Sequence, residues 1–281
     1  TGGVLAAGQF SRTNRARNDL NAAIERLSAV EPAVLQVDNA VRSEIASSVV
    51  PAATDAMAAA EGASKSLDEA VVLLDQAAPG LSNGDATLAA AVRDAVTARK
   101  SMLKESLLVL GVDVRAGGVL DSAHSAWTLA SEAGTLTVNA AVEYNKHTKA
   151  GVEASTKLSN QATEKLKAAR SLLETVTAGF PEAAMEPYTT YISARLKLLD
   201  SSRKIDSTWL AGKIEDANKL LDAYNAEEAK VVSQAKALKT TPAGELANAY
   251  ETLTKDAITR YFEARDAARV ADDRVKAAAV E

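Results

Sequence analysis

Residues 120–144 read LDSAHSAWTLASEAGTLTVNAAVEY, and their apolar and small side chains recur at alternating intervals of three and four positions. This spacing places those side chains on one face of an α-helix. The pattern continues to Val176, so the stretch predicts one unbroken helix of about 60 residues, roughly 90 Å long at 1.5 Å per residue. The members of this face are Leu120, Ala123, Trp127, Ala130, Gly134, Thr137, Ala141, Tyr144, Thr148, Gly151, Leu158, Ala162, Leu166, Ala169, Leu173 and Val176.

Similar helical faces lie on both sides of this stretch. Pro32 falls inside the first of them, where it either begins a new helix after Glu31 or kinks a continuous one. The segment KTTPAGE separates the face at 191–238 from the face at 246–278. The face at 191–238 predicts a single helix that continues through Leu210. The faces cover residues 20–41, 57–78, 88–102, 191–238 and 246–278.

Capping residues, glycines and prolines indicate where these helices begin and end. Asp85 is predicted to cap the helix that follows the loop APGLSNGD, and the glycines at 111, 117 and 118 are predicted to end it. Thr241 is predicted to cap the last helix, with Pro242 in its first turn. Short connections at 79–84, 179–181 and 240–242 require consecutive helices to run antiparallel.

The predicted fold is therefore all-α, an elongated antiparallel helical bundle of five or six helices with coiled-coil-like packing. The near-heptad spacing favours shallow crossing angles. Helices of such different lengths cannot share one bundle, so we expect two stacked bundles that share long helices. The expected regions are a membrane-proximal or linker segment at 1–18, a first bundle region at 19–150 and a second at 151–281.

The composition excludes several classes of site. The 281 residues contain no cysteine, which excludes disulfides, thiolate metal sites and cysteine nucleophiles. The net charge is −5 with acids and bases interspersed, so the basic face of a nucleic-acid-binding protein is missing. Aromatic residues make up only 4% of the chain, and alanine is abundant, which favours closely packed helices.

The chain opens with TGGVLAAGQF and then turns polar at Arg12, Arg15 and Arg17. This apolar run is too short for a spanning helix, which needs about 20 apolar residues. We interpret it as the boundary left by a removed span or export signal. The three arginines would then lie at the membrane-proximal end of a membrane-anchored or exported protein of a bacterial cell envelope, with the cytoplasmic side as the other possibility.

No set of residues indicates catalysis, a cofactor or a metal site. His124 and His147 lack a second ligand at metal-binding spacing. Ser-x-x-Lys occurs three times, from Ser101, Ser201 and Ser233, but the partner motifs of the penicillin-recognising enzymes are absent. Nucleotide-binding and calcium-binding loops are also missing from the sequence. We therefore expect a protein without enzymatic activity.

A small group of residues offers candidates for a ligand pocket. Several of the few aromatic residues lie on adjoining helices, where bundle proteins build their sites, although packing of the core explains them equally well. Glu228 occupies an apolar face, where a carboxylate needs a partner, an exit into solvent or a cavity. The candidates are Tyr188, Tyr191, Trp209, Tyr224 and Glu228.

Two functions agree with these observations. The first is a structural or protein-interaction rod, which would bind a protein partner or associate with itself. The alternative is a ligand-sensing helical bundle of a membrane receptor, which rests on analogy of fold and on the pocket candidates. Reversible lipid binding is disfavoured because the polar faces are not basic and the apolar faces are poor in aromatic residues.

Overall fold

The protein is an all-α helical bundle, which confirms the predicted fold class. A computed structural model describes residues 2–280, with side chains for residues 12–280, and this part of the chain contains no strand. Short 3₁₀ turns precede α3 and α4. The eight helices are α1 (Gly2–Ala29), α2 (Glu31–Val41), α3 (Val50–Ala77), α4 (Asn83–Tyr144), α5 (Lys149–Gly179), α6 (Glu186–Leu210), α7 (Ile214–Ala237) and α8 (Pro242–Ala278).

The longest helix lies elsewhere than predicted. α4 runs through the glycines at 111, 117 and 118, which the sequence analysis expected to end it. A helical glycine costs only about 1 kcal/mol relative to alanine, and packing on both sides of these glycines outweighs that cost. The predicted helix through residues 120–176 is instead broken at 145–148. There His147 takes a left-handed backbone conformation with φ of 50°, and Thr148 caps α5 by accepting a hydrogen bond from Gly151 N.

The predicted helix through residues 191–238 is also two helices. α6 ends at Leu210 and α7 begins at Ile214. Gly212 between them has φ of +76°, a conformation that glycine adopts without strain. The apolar spacing continues across the break, which is why the pattern alone concealed it.

At Pro32 a new helix begins, which is one of the two alternatives that the sequence left open. Capping residues predicted the start of α8 correctly and misplaced that of α4. Pro32 lies in the first turn of the new helix α2, and Thr241 Oγ1 accepts a hydrogen bond from Gly244 N at the start of α8. α4, however, begins at Asn83. Its cap is Ser82, whose hydroxyl donates to Asp85 Oδ2 at 2.6 Å, so Asp85 completes the cap from the first turn.

Contacts divide the chain into two compact units. The first contains Thr1–Val114 and Glu251–Glu281, and the second contains Arg115–Tyr250, so α4 and α8 contribute to both. These limits differ from the predicted regions 19–150 and 151–281 because the C-terminal part of α8 packs in the first unit.

The predicted linker segment 1–18 takes part in the first unit. Ala16 is buried, and Arg17 pairs with Asp85 at 2.9 Å. The predicted anchor remnant TGGVLAAGQF is described only as helical backbone from Gly2, and its side chains lie outside the described residues.

In the first unit, α1 and α2 pack on α3, and parts of α4 and α8 complete the bundle. Alanine, leucine and valine fill its core. Tyr261, fully buried on α8, donates a hydrogen bond to Asp38 on α2 at 2.9 Å, and Arg265 pairs with the same carboxylate at 2.8 Å. Polar groups therefore join α2 and α8 inside the core of this unit.

In the second unit, α5 packs on α6, and α6 packs on α7. α5 and α6 are antiparallel, since Thr156 contacts Asp206 and Asn160 contacts Arg203. Phe180, Leu166, Leu173, Ile192, Leu199 and Leu246 are its largest fully buried side chains. α7 buries only Ala217 and Val231 among its residues, so its inner face leaves room beside α6.

Candidate functional site

The second unit contains a cavity of about 360 Å³ between α4, α5, α6 and α7. This volume falls within the range of small-molecule sites. Gly134 contributes to the space, because no heavy atom of the surrounding residues lies within 4 Å of where its Cβ would be. The cavity is lined by Gly134, Thr137, Val138, Ala141, Tyr144, Asn145, Ser155, Arg195, Ser202, Ile205, Asp206, Leu221, Tyr224, Asn225 and Glu228.

α6 supplies two charged groups to the cavity. Arg195 and Asp206 are eleven positions apart, which is close to three helical turns, so they lie on the same face about 16 Å apart along the helix axis. Ser202 lies on this face between them, one turn before Asp206. The face therefore presents a cation at one end and a carboxyl group at the other.

Asp206 is the most deeply buried charged residue of the cavity, with 1% of its surface exposed. Its carboxylate accepts a hydrogen bond from Thr156 Oγ1 at 3.0 Å and another from the Ser155 side chain. Burial raises the pKa of this carboxyl group, and the two hydroxyl donors oppose the rise. Among the described residues, no lysine, arginine or histidine forms an ion pair with Asp206.

One of the two hydroxyl donors, Ser155, belongs to a polar stripe on α5, and the other, Thr156, lies next to it in the sequence. Ser155, Ser159 and Thr163 follow one another at intervals of four residues and are all buried. This spacing places them on one helix face, which here faces α6. Ser159 lies 3.5 Å from the Ser202 hydroxyl across the interface. The helices thus meet through hydroxyl groups beside the cavity, where an apolar seam would leave Asp206 without donors.

Arg195 lies at the opposite end of the cavity from Asp206. Its Nη2 donates a hydrogen bond to Thr137 Oγ1 on α4 at 3.0 Å. Among the described residues, no carboxylate forms an ion pair with it. A guanidinium has five donor hydrogens, so most of those of Arg195 remain available to a ligand.

Two tyrosines flank the space between these ends. Burial raises the pKa of Tyr144, and the nearby carboxylate of Asp206 raises it further. Burial likewise raises the pKa of Tyr224, Glu228 adds to the rise, and Arg195 opposes it. Both phenols are therefore neutral at physiological pH and present a hydroxyl group and an aromatic ring.

The structure brings together two of the five candidates from the sequence. Tyr224 and Glu228 line the cavity. Trp209 packs beside it against the apolar cluster that contains Tyr144. Tyr191 faces an adjoining groove of about 260 Å³ that shares Arg195 and Glu228 with the cavity.

Tyr188 serves the packing of the second unit and lies apart from the cavity. Its ring meets Trp127 edge to face with centroids 6.0 Å apart, and its hydroxyl donates to Thr240 O at 2.9 Å. Tyr191 packs against the same Trp127, with centroids 6.4 Å apart. The rings of Trp127, Tyr188 and Tyr191 therefore pack against one another between the helices of the second unit.

Arg195, Asp206 and Tyr144 were not predicted from the sequence as a group. One indication of Asp206 was present in the sequence. It follows Ile205, a member of the apolar face of α6, so its carboxyl group lies beside that face. A second signal was the pair of small residues Gly134 and Thr137 on the seam of α4. Small side chains at consecutive seam positions leave space that larger ones would fill.

The arrangement is chemically suited to binding. Within residues 12–280, no three histidine or carboxylate side chains gather as a metal site would require. None of the helices in the described range combines the length and the hydropathy of a membrane crossing. Searches among protein families, curated proteins and solved structures find no match to this chain.

Proposed function

We propose that this protein is a non-enzymatic helical bundle that binds a small polar molecule in the cavity of its second unit. The long helices that suggested a structural rod are compatible with this role, and the cavity favours the ligand-sensing alternative. In this proposal the chain is the ligand-binding part of a membrane-anchored bacterial envelope receptor, with Arg12 to Arg17 at its membrane-proximal end.

The observation that carries the proposal is the absence of ion pairs inside the cavity. Arg195, Asp206 and Glu228 line it, and none of them forms an ion pair within the described part of the chain. Asp206 is buried, whereas Arg195 and Glu228 are half-buried. Burying an unpaired charge is costly, so a fold retains a group such as Asp206 where a bound molecule completes it.

The buried charges of the first unit provide a contrast. Asp38 pairs with Arg265, Arg99 with Asp272, and Glu105 with Arg260, at distances between 2.8 and 2.9 Å. The fold therefore supplies partners to buried charges where they serve only to join helices. The unpaired charges beside a cavity of ligand size are consistent with a binding role.

A thermal-shift screen with amino acids, organic acids, amines and sugars tests the proposal. A ligand present at 100 times its dissociation constant adds about 2.7 kcal/mol to the free energy of unfolding. Gly134→Leu should remove this stabilisation, because the new side chain enters the cavity without replacing any polar group. Gly118→Leu is the matched control, since Gly118 lies exposed on the same helix with open space around it.

The proposal would be wrong if no compound class stabilised the protein, or if Gly134→Leu bound the active compound as tightly as the original chain. Circular dichroism melting of both leucine variants separates loss of binding from loss of folding. A variant that keeps its helical content and its cooperative melting curve but no longer responds to the compound supports the cavity as the site.

A structural or protein-interaction rod is the second candidate function. Large apolar side chains are exposed on the part of α8 that belongs to the first unit, namely Leu253, Phe262 and Val270. These side chains are spread around α8, so the length of the helices, 62 residues in α4, is the observation that favours a rod. Sedimentation velocity over a range of concentrations tests self-association, and a concentration-independent monomer would argue against it.

A further inference from the structure

We infer that the ligand is a basic α-amino acid of the lysine type, with its side-chain ammonium on Asp206, its α-carboxylate on Arg195 and its α-ammonium on Glu228. The inference rests on the proposed function and names the chemical class that this cavity recognises. It follows from the positions and the signs of the three unpaired charges.

The Asp206 end of the cavity is suited to a primary ammonium group. A carboxylate has about four acceptor positions, and hydroxyl groups of Ser155 and Thr156 occupy two of them. The remaining positions match the donors of an ammonium group. The ring of Tyr144 lies beside them, and aromatic rings attract cations at close range.

The opposite end is suited to the head group of an α-amino acid. Arg195 offers a forked pair of donors, which fits a carboxylate. Glu228 lies at the same end, since it shares the adjoining groove with Arg195 and both act on Tyr224. A cation and an anion side by side match the adjacent carboxylate and ammonium groups of an amino acid.

The length of the cavity selects a ligand with a long side chain. The backbone positions of Arg195 and Asp206 lie about 16 Å apart along α6, and the long Arg195 side chain, which reaches Thr137 on α4, takes up part of this distance. Two charged hydrogen bonds of about 2.8 Å leave several ångströms to be spanned by the ligand. Val138, Ala141 and Leu221 line the cavity and suit a methylene chain.

The sum of charges also favours this class. Arg195, Asp206 and Glu228 together carry −1 when ionised, and a basic amino acid carries +1. A dicarboxylate would place an anion beside Asp206, and a simple diamine would leave Arg195 without an anion. Each of these ligands would therefore leave one charged group of the cavity unsatisfied, which reduces affinity.

Calorimetric titration with L-lysine and three analogues tests the inference, because each analogue lacks one charged group. Norleucine lacks the side-chain ammonium, cadaverine lacks the carboxylate, and ε-aminocaproate lacks the α-ammonium. We expect L-lysine to bind at least tenfold more tightly than each analogue.

Three variants assign each charged group to its residue. Asp206→Asn should abolish the preference for lysine over norleucine, Arg195→Gln the preference over cadaverine, and Glu228→Gln the preference over ε-aminocaproate. Asp222→Asn is the control, because Asp222 is an exposed acid on α7 outside the cavity lining. It should leave all three preferences unchanged.

The outcomes separate this inference from the proposed function. Stabilisation by another compound class that Gly134→Leu abolishes, with no binding of lysine, would overturn the inference and leave the proposed function standing. Failure of every compound in both experiments would overturn both. Lysine binding with preferences that the three variants leave intact would also contradict the assignment of these residues.

Discussion

The carboxyl group of Asp206 is held in an environment that disfavours its charge. Two hydroxyl donors satisfy part of its hydrogen-bonding capacity, but burial dominates and raises its pKa. Ionisation of such a group lowers the free energy of unfolding of the ligand-free protein at neutral pH. The same cost increases the affinity for a cation that pairs with the group. A residue with a purely structural role would have the opposite effect on stability.

Asp206→Asn should therefore stabilise the empty protein at neutral pH. Because the folded pKa is raised, the folded chain binds this proton more tightly than the unfolded chain does, so its stabilising effect is present at low pH and lost as the pH rises through the folded pKa. Asparagine cannot ionise, and its amide oxygen keeps an acceptor for a hydroxyl donor. As the pH rises from about 3 to about 8, we expect the free energy of unfolding of the variant to increase by about 1 kcal/mol relative to that of the original chain.

Chemical denaturation at several pH values measures this difference. Asp222→Asn, at an exposed position on α7, is the control variant. A variant of Asp206 that is less stable than the original chain at neutral pH would show that the carboxylate stabilises the fold.

Asp38 in the first unit has the opposite character, because its charge has partners. Tyr261 donates a hydrogen bond to its carboxylate, and Arg265 forms an ion pair with it. Both Asp38 and Tyr261 are buried. Burial and the hydrogen bond to Asp38 raise the pKa of Tyr261, so the phenol stays protonated and continues to donate.

Removal of Asp38 should cost more than removal of the tyrosine hydroxyl. Tyr261→Phe deletes one donor and should lower the free energy of unfolding by about 1 kcal/mol, whereas Asp38→Ala strands both the phenol and Arg265 and should cost about 2–3 kcal/mol. Urea denaturation measures both changes. Asp256→Ala, at an exposed acid on α8, is the control, and equal effects of all three variants would contradict this account.

Among the helices, the glycines of α4 and α5 differ in what surrounds them. A Cβ at Gly111 or Gly118 would meet nothing within 4 Å, whereas a Cβ at Gly179, the last residue of α5, would lie 2.5 Å from Val119 Cγ1. The first two glycines therefore only weaken the helix, and the third permits close contact between α5 and α4.

Alanine substitutions should thus have opposite signs. Gly111→Ala and Gly118→Ala should each stabilise the protein by about 0.5–1 kcal/mol, because alanine favours the helix and nothing obstructs it. Gly179→Ala should destabilise it by about 1–3 kcal/mol, because the β-branched Val119 has few rotamers with which to yield. Thermal melting of the three variants is the measurement, and a stabilised Gly179→Ala would refute the close contact.

Two helices of similar length, α3 and α7, differ in how many of their residues are buried. α3 in the first unit buries eight residues: Ala53, Ala56, Ala60, Ala63, Leu67, Ala70, Leu74 and Ala77. α7 in the second unit buries only Ala217 and Val231. Local opening costs less where fewer apolar contacts are lost, so α7 is the helix most ready to respond to a ligand.

Hydrogen exchange should reveal this difference. Amides in the middle of α7 should exchange at least tenfold faster than those in the middle of α3, because opening α7 exposes less apolar surface. L-lysine at saturation should slow exchange around Tyr224 and Glu228 and leave α3 unchanged. Mass spectrometry of peptides from both helices measures the rates, and uniform protection across α3 and α7 would contradict the prediction.

The fold class and the start of α8 could be predicted from the sequence because their causes are local, and the choice at Pro32 was narrowed to a new helix or a kink for the same reason. Apolar spacing defines a helix face within a few turns, and Pro32 and Pro242 act on the residues beside them. Breaks that lack proline were harder to see. Gly212 was hidden by continuous spacing, while the glycines of α4 suggested a break that packing overrides.

The cavity depended on how distant segments meet. The chain alone determined that Glu228 occupies an apolar face and that small residues line part of α4. Only the packing of four helices placed Arg195 and Asp206 around the same space with hydroxyl partners and without an ion pair among the described residues, because the energy of a charge depends on every group that surrounds it, including those far away along the chain.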